Sequence, residues 1–459
     1  MSETIIALGT PAGRSGIGVI RLSGESSLEI AEKLSAEKGS VFSPRMAHLV
    51  QLRDPESSET IDEALVTYFK APHSFTGEEV VEISCHGSPV VLRQVIDACL
   101  RLGARSAEAG EFSLRALANG RMDLSEAEAI RDLIDAQTTA AARQAVRQLR
   151  GEFSHRLQPI KDDLLDAIVI LESALEFVED DLPEVQFVTI KGRLSELADA
   201  VGDIASTFKA GHLVREGLRV ALVGRPNVGK SSLFNALVGS ERAIVTDIAG
   251  TTRDQIHERF TINDIPVSLI DTAGLRETTD TVEYIGVERS RRTMADVDQV
   301  IVIVDASEPL TPDDRDIIAS VAELRHLIAI NKIDKLPADS RLERLAEVKE
   351  LLSAESPTVE LSAKTGEGLA GLKHAVMAPF APADAFTAGF LVTDARHHDL
   401  LLRAEGDIRE SLSLLEHKTS EEIVLIGLHN ALRYLGQITG ETTTEDMLTL
   451  IFSTFCIGK

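Results

Sequence analysis

The run Gly224-Arg-Pro-Asn-Val-Gly-Lys-Ser231 constrains this chain more than any other feature. Gly224 and Gly229 let the backbone curl until its N–H groups converge. Lys230 adds a localised positive charge at that point, and the Ser231 hydroxyl is placed to ligate a divalent cation. Together they form a cradle for a polyphosphate, with Mg²⁺ held at its rim. Such a cradle needs a strand before it and a helix after it. Residues 218–223 are a short apolar run and residues 232–237 have helical spacing, so the phosphate falls at a helix N-terminus. A doubly wound α/β domain is predicted for residues 213–376.

Asn331-Lys-Ile-Asp334 follows the apolar run 327–330, which places it at a strand's C-terminal end, where such sheets bind ligands. A carboxylate there accepts from both the ring N–H and the exocyclic amino group of guanine. Adenine offers no such pair, so Asp334 predicts GTP, and an ATPase reading would have to ignore it. Residues 269–274 read as a strand ending in Asp-x-x-Gly: Asp271 would hold the metal through water, and the Gly274 N–H would sense the terminal phosphate. Gly250-Thr-Thr-Arg253 offers Thr252 as a second hydroxyl on Mg²⁺, on a nucleotide-sensing loop. Leu361-Ser-Ala-Lys364 would back the base pocket through main-chain N–H groups. The predicted GTP contacts are Asn227, Val228, Gly229, Lys230, Ser231 and Ser232; Thr246, Asp247, Ile248, Ala249, Gly250 and Thr251; Asp271, Thr272, Ala273 and Gly274; and Asn331, Lys332, Asp334, Ser362, Ala363 and Lys364.

Leu275 stands where Ras-like proteins carry the glutamine that orients the attacking water. Leucine cannot hydrogen-bond, so another group must act. The Asn227 amide oxygen could ligate a monovalent cation beside the phosphates, in the place an arginine finger takes elsewhere. Arg276, Glu277 or Glu283 could deliver a polar group to the water, or could simply form a solvated loop; spacing leaves these open.

At 459 residues the chain exceeds one core, so two or three domains are expected. No apolar run is long enough to span a membrane, and no basic region followed by a hydrophobic block opens the sequence. A cytoplasmic protein with no membrane partner is expected. Cys85, Cys99 and Cys456 are too few for a disulfide framework and are not spaced as a zinc site. The formal net charge of −26 argues against indiscriminate nucleic-acid binding, and 4% aromatic residues give few stacking platforms. If RNA is a substrate, a partner must help to hold it.

Three textures divide the chain. Residues 1–118 mix alternating strands (17–22 and 79–84) with a helix at 89–102, an α+β pattern. Residues 119–212 adopt helical periodicity: Ser125-Glu-Ala-Glu128 reads as a capping box opening a helix with Ile130, Leu133, Ile134 and Ala141 on one face. A second helix carries Leu157, Ile160, Leu164, Ile168, Leu171 and Leu175, with Pro159 in its first turns or at a kink, and the acidic segment 179–183 ends it. Residues 377–459 return to helical spacing, with Leu400, Leu401, Ile408, Leu412 and Leu415, then Ile423, Ile426, Leu432 and Leu435. The predicted fold is multidomain: an α+β N-terminal domain and a discontinuous α-helical bundle into which an α/β P-loop GTPase domain is inserted. Gly16-Ile-Gly18 is followed by Arg21 where a dinucleotide fingerprint needs glycine, so no flavin or nicotinamide site is expected in this chain. The ending Cys456-Ile-Gly-Lys459 is a poor prenylation box and reads from spacing as a tail or a frayed terminus.

The phosphate loop, Gly250-Thr-Thr-Arg253, Asp271-Thr-Ala-Gly-Leu-Arg276 and Asn331-Lys-Ile-Asp334 resemble those of the tRNA-modification GTPase family called MnmE or TrmE. So do Ser74-Phe-Thr-Gly-Glu78, Gly110-Glu-Phe112 with Arg115, Leu435-Gly-Gln-Ile-Thr-Gly440 and the Cys-Ile-Gly-Lys ending. The resemblance covers essentially the whole chain, and the end motifs single out the family. It implies a homodimer joined through the N-terminal domains, which bind a tetrahydrofolate one-carbon donor. It also implies a heterotetramer with an FAD-containing partner that places an aminomethyl-type group on carbon five of the wobble uridine of certain tRNAs. Hydrolysis in the family requires K⁺, which Asn227, Thr246, Ile248 and Thr251 would surround. Ser231 and Thr252 would ligate Mg²⁺. Glu283 would orient the water, with Lys230 and Asp271 completing the catalytic set. Folate contacts would fall on Arg21, Glu82, Arg121 and Lys459, Arg121 standing where the family has lysine. Cys456 is expected to pack or position rather than attack. The alternative is a ribosome-assembly or stress-response GTPase switch without modification chemistry, which would bind no reduced folate.

Overall fold

The computed structural model describes residues 3–35, 42–176, 184–240, 257–271, 297–337, 339, 341–351, 356–380, 389–417 and 421–458. They fall into two compact units. One comprises Met1–Ile134, Arg147–Leu194 and Glu410–Lys459; the other comprises Asp135–Val146 and Ser195–Arg409.

The N-terminal domain is built on β1 (Ile5–Leu8), β2 (Gly18–Ser23), β3 (Ala47–Arg53), β4 (Thr60–Phe69), β5 (Val80–Cys85) and β6 (Arg105–Ser106), with α1 (Ser27–Ser35), α2 (Pro89–Arg101), α3 (Glu111–Ala118) and α4 (Leu124–Asp135). The strand order is β3-β4-β5-β2-β1-β6, antiparallel except between β1 and β6. Alternate residues Ile20, Leu22, Val66, Val81 and Ile83 bury against Ile30 and Leu34 of α1 and Leu92, Val95 and Cys99 of α2. Ser88, in an extended conformation, and Pro89 open α2, since proline there sacrifices no helical hydrogen bond.

Two helix assignments made from spacing need correction. The box that opens α4 is Asp123 with Glu126, not Ser125 with Glu128. Asp123 Oδ1 accepts from Glu126 N at 2.8 Å, and Asp123 N donates to Glu126 Oε2 at 2.8 Å. Ser125 and Glu128 are buried instead. The helix also ends at Asp135, and α5 (Thr139–Leu149) starts afresh after Thr138, whose Oγ1 accepts from Ala141 N at 3.1 Å. Local capping at Thr138 outcompetes continuation through Gln137, so Ala141 belongs to a different helix from Ile130, and Ile134 is exposed.

There follow α6 (Glu152–Glu176), α7 (Glu184–Ser206) and α8 (Phe208–Glu216). Pro159 lies inside α6, near its start. Leu157, Ile160, Leu164, Ile168 and Leu171 form the expected buried stripe.

The inserted α/β domain contains β7 (Leu218–Val223), β8 (His257–Ile262), β9 (Ile265–Asp271), β10 (Gln299–Asp305), β11 (His326–Asn331) and β12 (Thr358–Glu360), with α9 (Lys230–Ser240), α10 (Pro312–Ser320), α11 (Arg341–Leu351) and α12 (Leu369–Met377). The order is β12-β11-β10-β7-β9-β8, parallel but for the β8–β9 hairpin. Alternation along β10 and β11 sends Ile301, Ile303, Leu327 and Ala329 into one core and Val300, Val302, Val304, Ile328 and Ile330 into the other. Burial on both faces explains why these strands read as unbroken apolar runs.

The chain ends with α13 (Ala395–Glu416), α14 (Glu421–Thr439) and α15 (Glu445–Ser453). The two ends of the inserted domain lie side by side. Val392 N donates to Thr207 Oγ1 at 3.0 Å, and Arg215 pairs with Asp394 at 2.6 Å. Gln144 bridges Gly389 O and Leu391 N. A side chain at Gly211 would place its Cβ 2.0 Å from Val392 O.

Helix α14 runs along α6, tied by Lys161–Glu441 at 2.5 Å and His429–Glu172 at 3.1 Å. Its buried stripe is Val424, Leu425, Leu428, Ala431, Leu435 and Ile438. Ile423 and Ile426, expected to be internal, are exposed because contact with α6 selects an adjacent face. The terminal tail is ordered against the N-terminal domain: Phe455 is buried and Ile457 forms an antiparallel bridge with Ala109.

Candidate functional site

The phosphate loop joins β7 to α9 at the C-terminal edge of the parallel sheet. Gly229 has φ +105°, and a Cβ there would lie 2.3 Å from Asn331 Nδ2; a Cβ at Gly224 would lie 2.5 Å from Ile303 O. Both positions demand bare backbone. Lys230 Nζ donates to Gly224 O at 2.7 Å and to Arg225 O at 2.8 Å, which keeps the ammonium over the loop. Ser231 and Ser232 are exposed in the first turn of α9, and Asn227 is exposed with a left-handed φ of +64°.

The loop after β11 grips this cradle. Asn331 is buried at the end of β11: its Nδ2 donates to Val228 O at 2.8 Å, and its Oδ1 accepts from Ala363 N at 3.0 Å. Lys332 Nζ donates to Asn227 O at 2.5 Å and to Asp305 Oδ2 at 2.6 Å. Asp334 is exposed, and its Oδ1 accepts from Ser362 Oγ at 2.6 Å, so one carboxylate oxygen is anchored in the loop that contains Lys364. The first loop and the residues around 331–334 and 362–364 are thus brought together.

Two groups here were not anticipated from the sequence. Asp305 ends β10; burial pushes its carboxyl up, but bonds from Lys332 and Ser307 outweigh that and hold it below its ordinary value. Arg225 donates from Nε to Asp314 at 2.7 Å, and Asp314 also completes the Thr311 capping box of α10. The available signal was a single carboxylate ending a seven-residue strand that is otherwise all apolar after Gln299. Asp271 ends β9, with only its backbone described. Thr246, Asp247, Ile248, Ala249, Gly250, Thr251, Thr252, Thr272, Ala273, Gly274, Leu275, Arg276, Glu277, Glu283 and Lys459 lie outside the described residues.

A second constellation forms in the N-terminal domain. Arg21 on β2 donates to Glu82 Oε1 on β5 from Nη2 at 2.6 Å and Nε at 2.9 Å, the two residues facing each other across the sheet. The same guanidinium lies 5.4 Å from the Phe75 ring centroid and 5.9 Å from that of Phe112. Its Nη1 donates to Gly458 O at 3.3 Å, which brings the penultimate residue to this cluster. Gly458 has φ +98°, and a Cβ there would lie 2.5 Å from Leu8 O, so the tail can lie this close to β1 only as glycine. Arg121 sits one residue along from Phe75, its Nε donating to Ser74 O at 3.1 Å. Cys456 is exposed; the packing expected of it falls to Phe455.

The segments 74–78 and 110–115 form the wall behind this cluster. Glu78 Oε2 accepts from Ser23 Oγ at 2.7 Å and from Arg115 Nη1 at 2.9 Å. Arg115 also binds Glu111, which is paired with Arg105. The Glu111 carboxyl is opposed by burial, but bonds from Arg105, Glu108 N and Arg115 push it down to about 2.

Residues 4–121 match the family description "GTP-binding protein TrmE N-terminus" and residues 124–456 match "MnmE helical domain". Three relatives called tRNA modification GTPase MnmE align over nearly their full lengths. That of Koribacter versatilis is 44% identical, with 100% of each chain covered. That of Aquifex aeolicus is 42% identical at the same coverage, and that of Neisseria meningitidis serogroup A is 43% identical with 99% of each chain covered. A phosphate loop bonded to the 331–334 loop, and a tail that reaches the N-terminal domain, accompany similarity along the whole sequence: the chain belongs to the MnmE (TrmE) family of tRNA modification GTPases.

Proposed function

We propose that this chain hydrolyses GTP in the service of tRNA modification, with K⁺ as activator. An FAD-containing partner and a reduced folate would supply the chemistry at carbon five of the wobble uridine. The carrying observation is the joined pair of loops, in which Asn331 and Lys332 hold the carbonyls of Val228 and Asn227 while the Asp334 carboxylate stands exposed beside Ser362. A carboxylate so placed suits guanine.

The residues fit the groups this activity requires. Gly224 and Gly229 present bare backbone to a phosphate, and the exposed Ser231 hydroxyl suits an oxygen-preferring cation such as Mg²⁺, with Thr252 as the second ligand. Asn227, Thr246, Ile248 and Thr251 would hold K⁺. Bound cations neutralise charge developing on the phosphate oxygens. Main-chain N–H groups and Lys230 would orient the phosphates, Asp271 would help to hold Mg²⁺, and Glu283 would align the attacking water.

In the N-terminal domain, a carboxylate beside a guanidinium and two phenyl rings suits a flat pterin ring with N–H groups on its edge. This favours Arg21, Glu82, Arg121 and Lys459 as the tetrahydrofolate site. The reading includes a homodimer through residues 1–118 and a heterotetramer with the flavoprotein. Among the described residues no helix is long and apolar enough to cross a membrane.

The deciding experiment is nucleoside analysis of tRNA from cells lacking this chain, where loss of the wobble modification is expected and an unchanged nucleoside profile would refute the reading. Hydrolysis should run faster in K⁺ than in Na⁺, with the difference abolished in Asn227→Ala. Calorimetry with a reduced folate separates the modification enzyme from a simple switch, which would bind none.

A further inference from the structure

We propose that Asp305 is a positioning residue for nucleotide binding: it fixes the Lys332 ammonium and, through it, the peptide that joins Asn227 to Val228. The inference rests on the GTP-binding reading above and adds a residue to it.

Strand β10 is buried along its whole length, and Asp305 at its end is 4% exposed. A carboxylate in that position persists only if its oxygens are matched. Oδ1 accepts from Ser307 N at 2.9 Å and from Ser307 Oγ at 2.6 Å. Oδ2 accepts from Lys332 Nζ at 2.6 Å, and the same ammonium reaches Asn227 O at 2.5 Å. The next carbonyl, Val228 O, is taken by Asn331. Consecutive side chains of one loop therefore hold consecutive carbonyls of the other.

The consequence follows from peptide geometry. In a planar trans peptide the C=O and the following N–H point in opposite directions. Holding Asn227 O and Val228 O toward the base-side loop turns the N–H groups of Val228 and Gly229 to the opposite side, as an anion cradle requires. Asn227 and Lys332 each have φ +64°, a left-handed conformation that asparagine enters far more readily than lysine, so Lys332 is the one that needs fixed contacts to stay there. A lysine on its own four-carbon stem has several places to put its charge. Asp305 removes that freedom, and it acts through Lys332 because its own oxygens are already engaged.

The test uses the full-length protein and a fluorescent GDP analogue, with inosine diphosphate as competitor. Asp305→Asn should weaken GDP binding about tenfold, the scale of a lost charge-assisted hydrogen bond. The preference for GDP over inosine diphosphate should stay unchanged, because Asp334 is untouched. Lys332→Met should weaken binding at least as much, and the double variant should be no weaker than Lys332→Met alone. Multiplying losses in the double variant would show that Asp305 acts independently of Lys332 and overturn the proposal, as would wild-type affinity in Asp305→Asn. If Asp305→Asn does not fold, Ser307→Ala at an exposed position loosens Oδ1 only; about threefold weaker GDP binding is expected, and no change overturns the proposal. Failure of the unmodified protein to bind any guanine nucleotide would instead overturn the GTP reading itself.

Discussion

Substituting Glu111 probes the wall behind the Arg21 cluster with a pH signature that can be worked out in advance. Its side chain is 11% exposed and accepts from Arg105, from Arg115 and from the Glu108 N–H. The folded carboxyl is pushed down to about 2 from the ordinary 4.5. At about 1.4 kcal/mol per tenfold change in proton affinity, the ionised form contributes about 3 kcal/mol to folding. The sign is that of a depressed acid: the contribution is complete above the unfolded value of 4.5 and disappears as pH falls through the folded value. About 2 kcal/mol of it should be gone by pH 3.

Glu111→Gln keeps the shape but loses the charge, so the variant should be less stable at pH 6 by about 3 kcal/mol, and the gap should shrink to about 1 kcal/mol at pH 3. The chain offers its own reporter. Cys85 and Cys99 are buried in the N-terminal core while Cys456 is exposed, so a thiol reagent active in acid labels the first two only when that domain opens. Labelling across a urea series at each pH gives the midpoints. A wild-type-to-variant difference that stays constant from pH 6 to pH 3 would refute the assignment of this stability to the ionised carboxylate.

Asn331→Ala should unfasten the two nucleotide loops, leaving Val228 O and Ala363 N without their partners. A loss of about 2–4 kcal/mol is expected in the inserted domain, with nucleotide affinity reduced at least a hundredfold, read by denaturation with and without GDP; effects within about 0.5 kcal/mol and threefold would refute it. Asp334→Asn should shift preference from guanine toward xanthine nucleotides in a competition assay, and retained GTP preference would remove the base contact. Gly211→Ala tests how closely the two ends of the inserted domain meet. Alanine is the better helix former by about 1 kcal/mol, yet a Cβ 2.0 Å from Val392 O should destabilise by about 1–3 kcal/mol, and a raised thermal midpoint would contradict the packing.

Local chemistry made much of this protein readable in advance. The phosphate loop and Asn331-Lys-Ile-Asp334 each require a particular backbone shape, so their residue types announce strand, turn and helix without reference to distant contacts. Apolar runs at β10 and β11 likewise disclosed a doubly covered sheet, and the stripe from Leu157 to Leu171 disclosed α6. Periodicity was a weaker guide wherever two signals competed. Asp123 and Ser125 both offered a cap, and only packing, which buries Ser125 and Glu128, chose between them. The face of α14 was chosen by contact with α6, which exposes Ile426.

The remainder lay beyond any reading of neighbours along the chain. Arg21 meets Glu82 and Gly458, and Asp305 meets Lys332, only after strands and tail are assembled. A hydrogen bond depends on distance in space. Spacing along the sequence determines that distance within a loop or a helix, whereas between segments it is decided by how the cores pack.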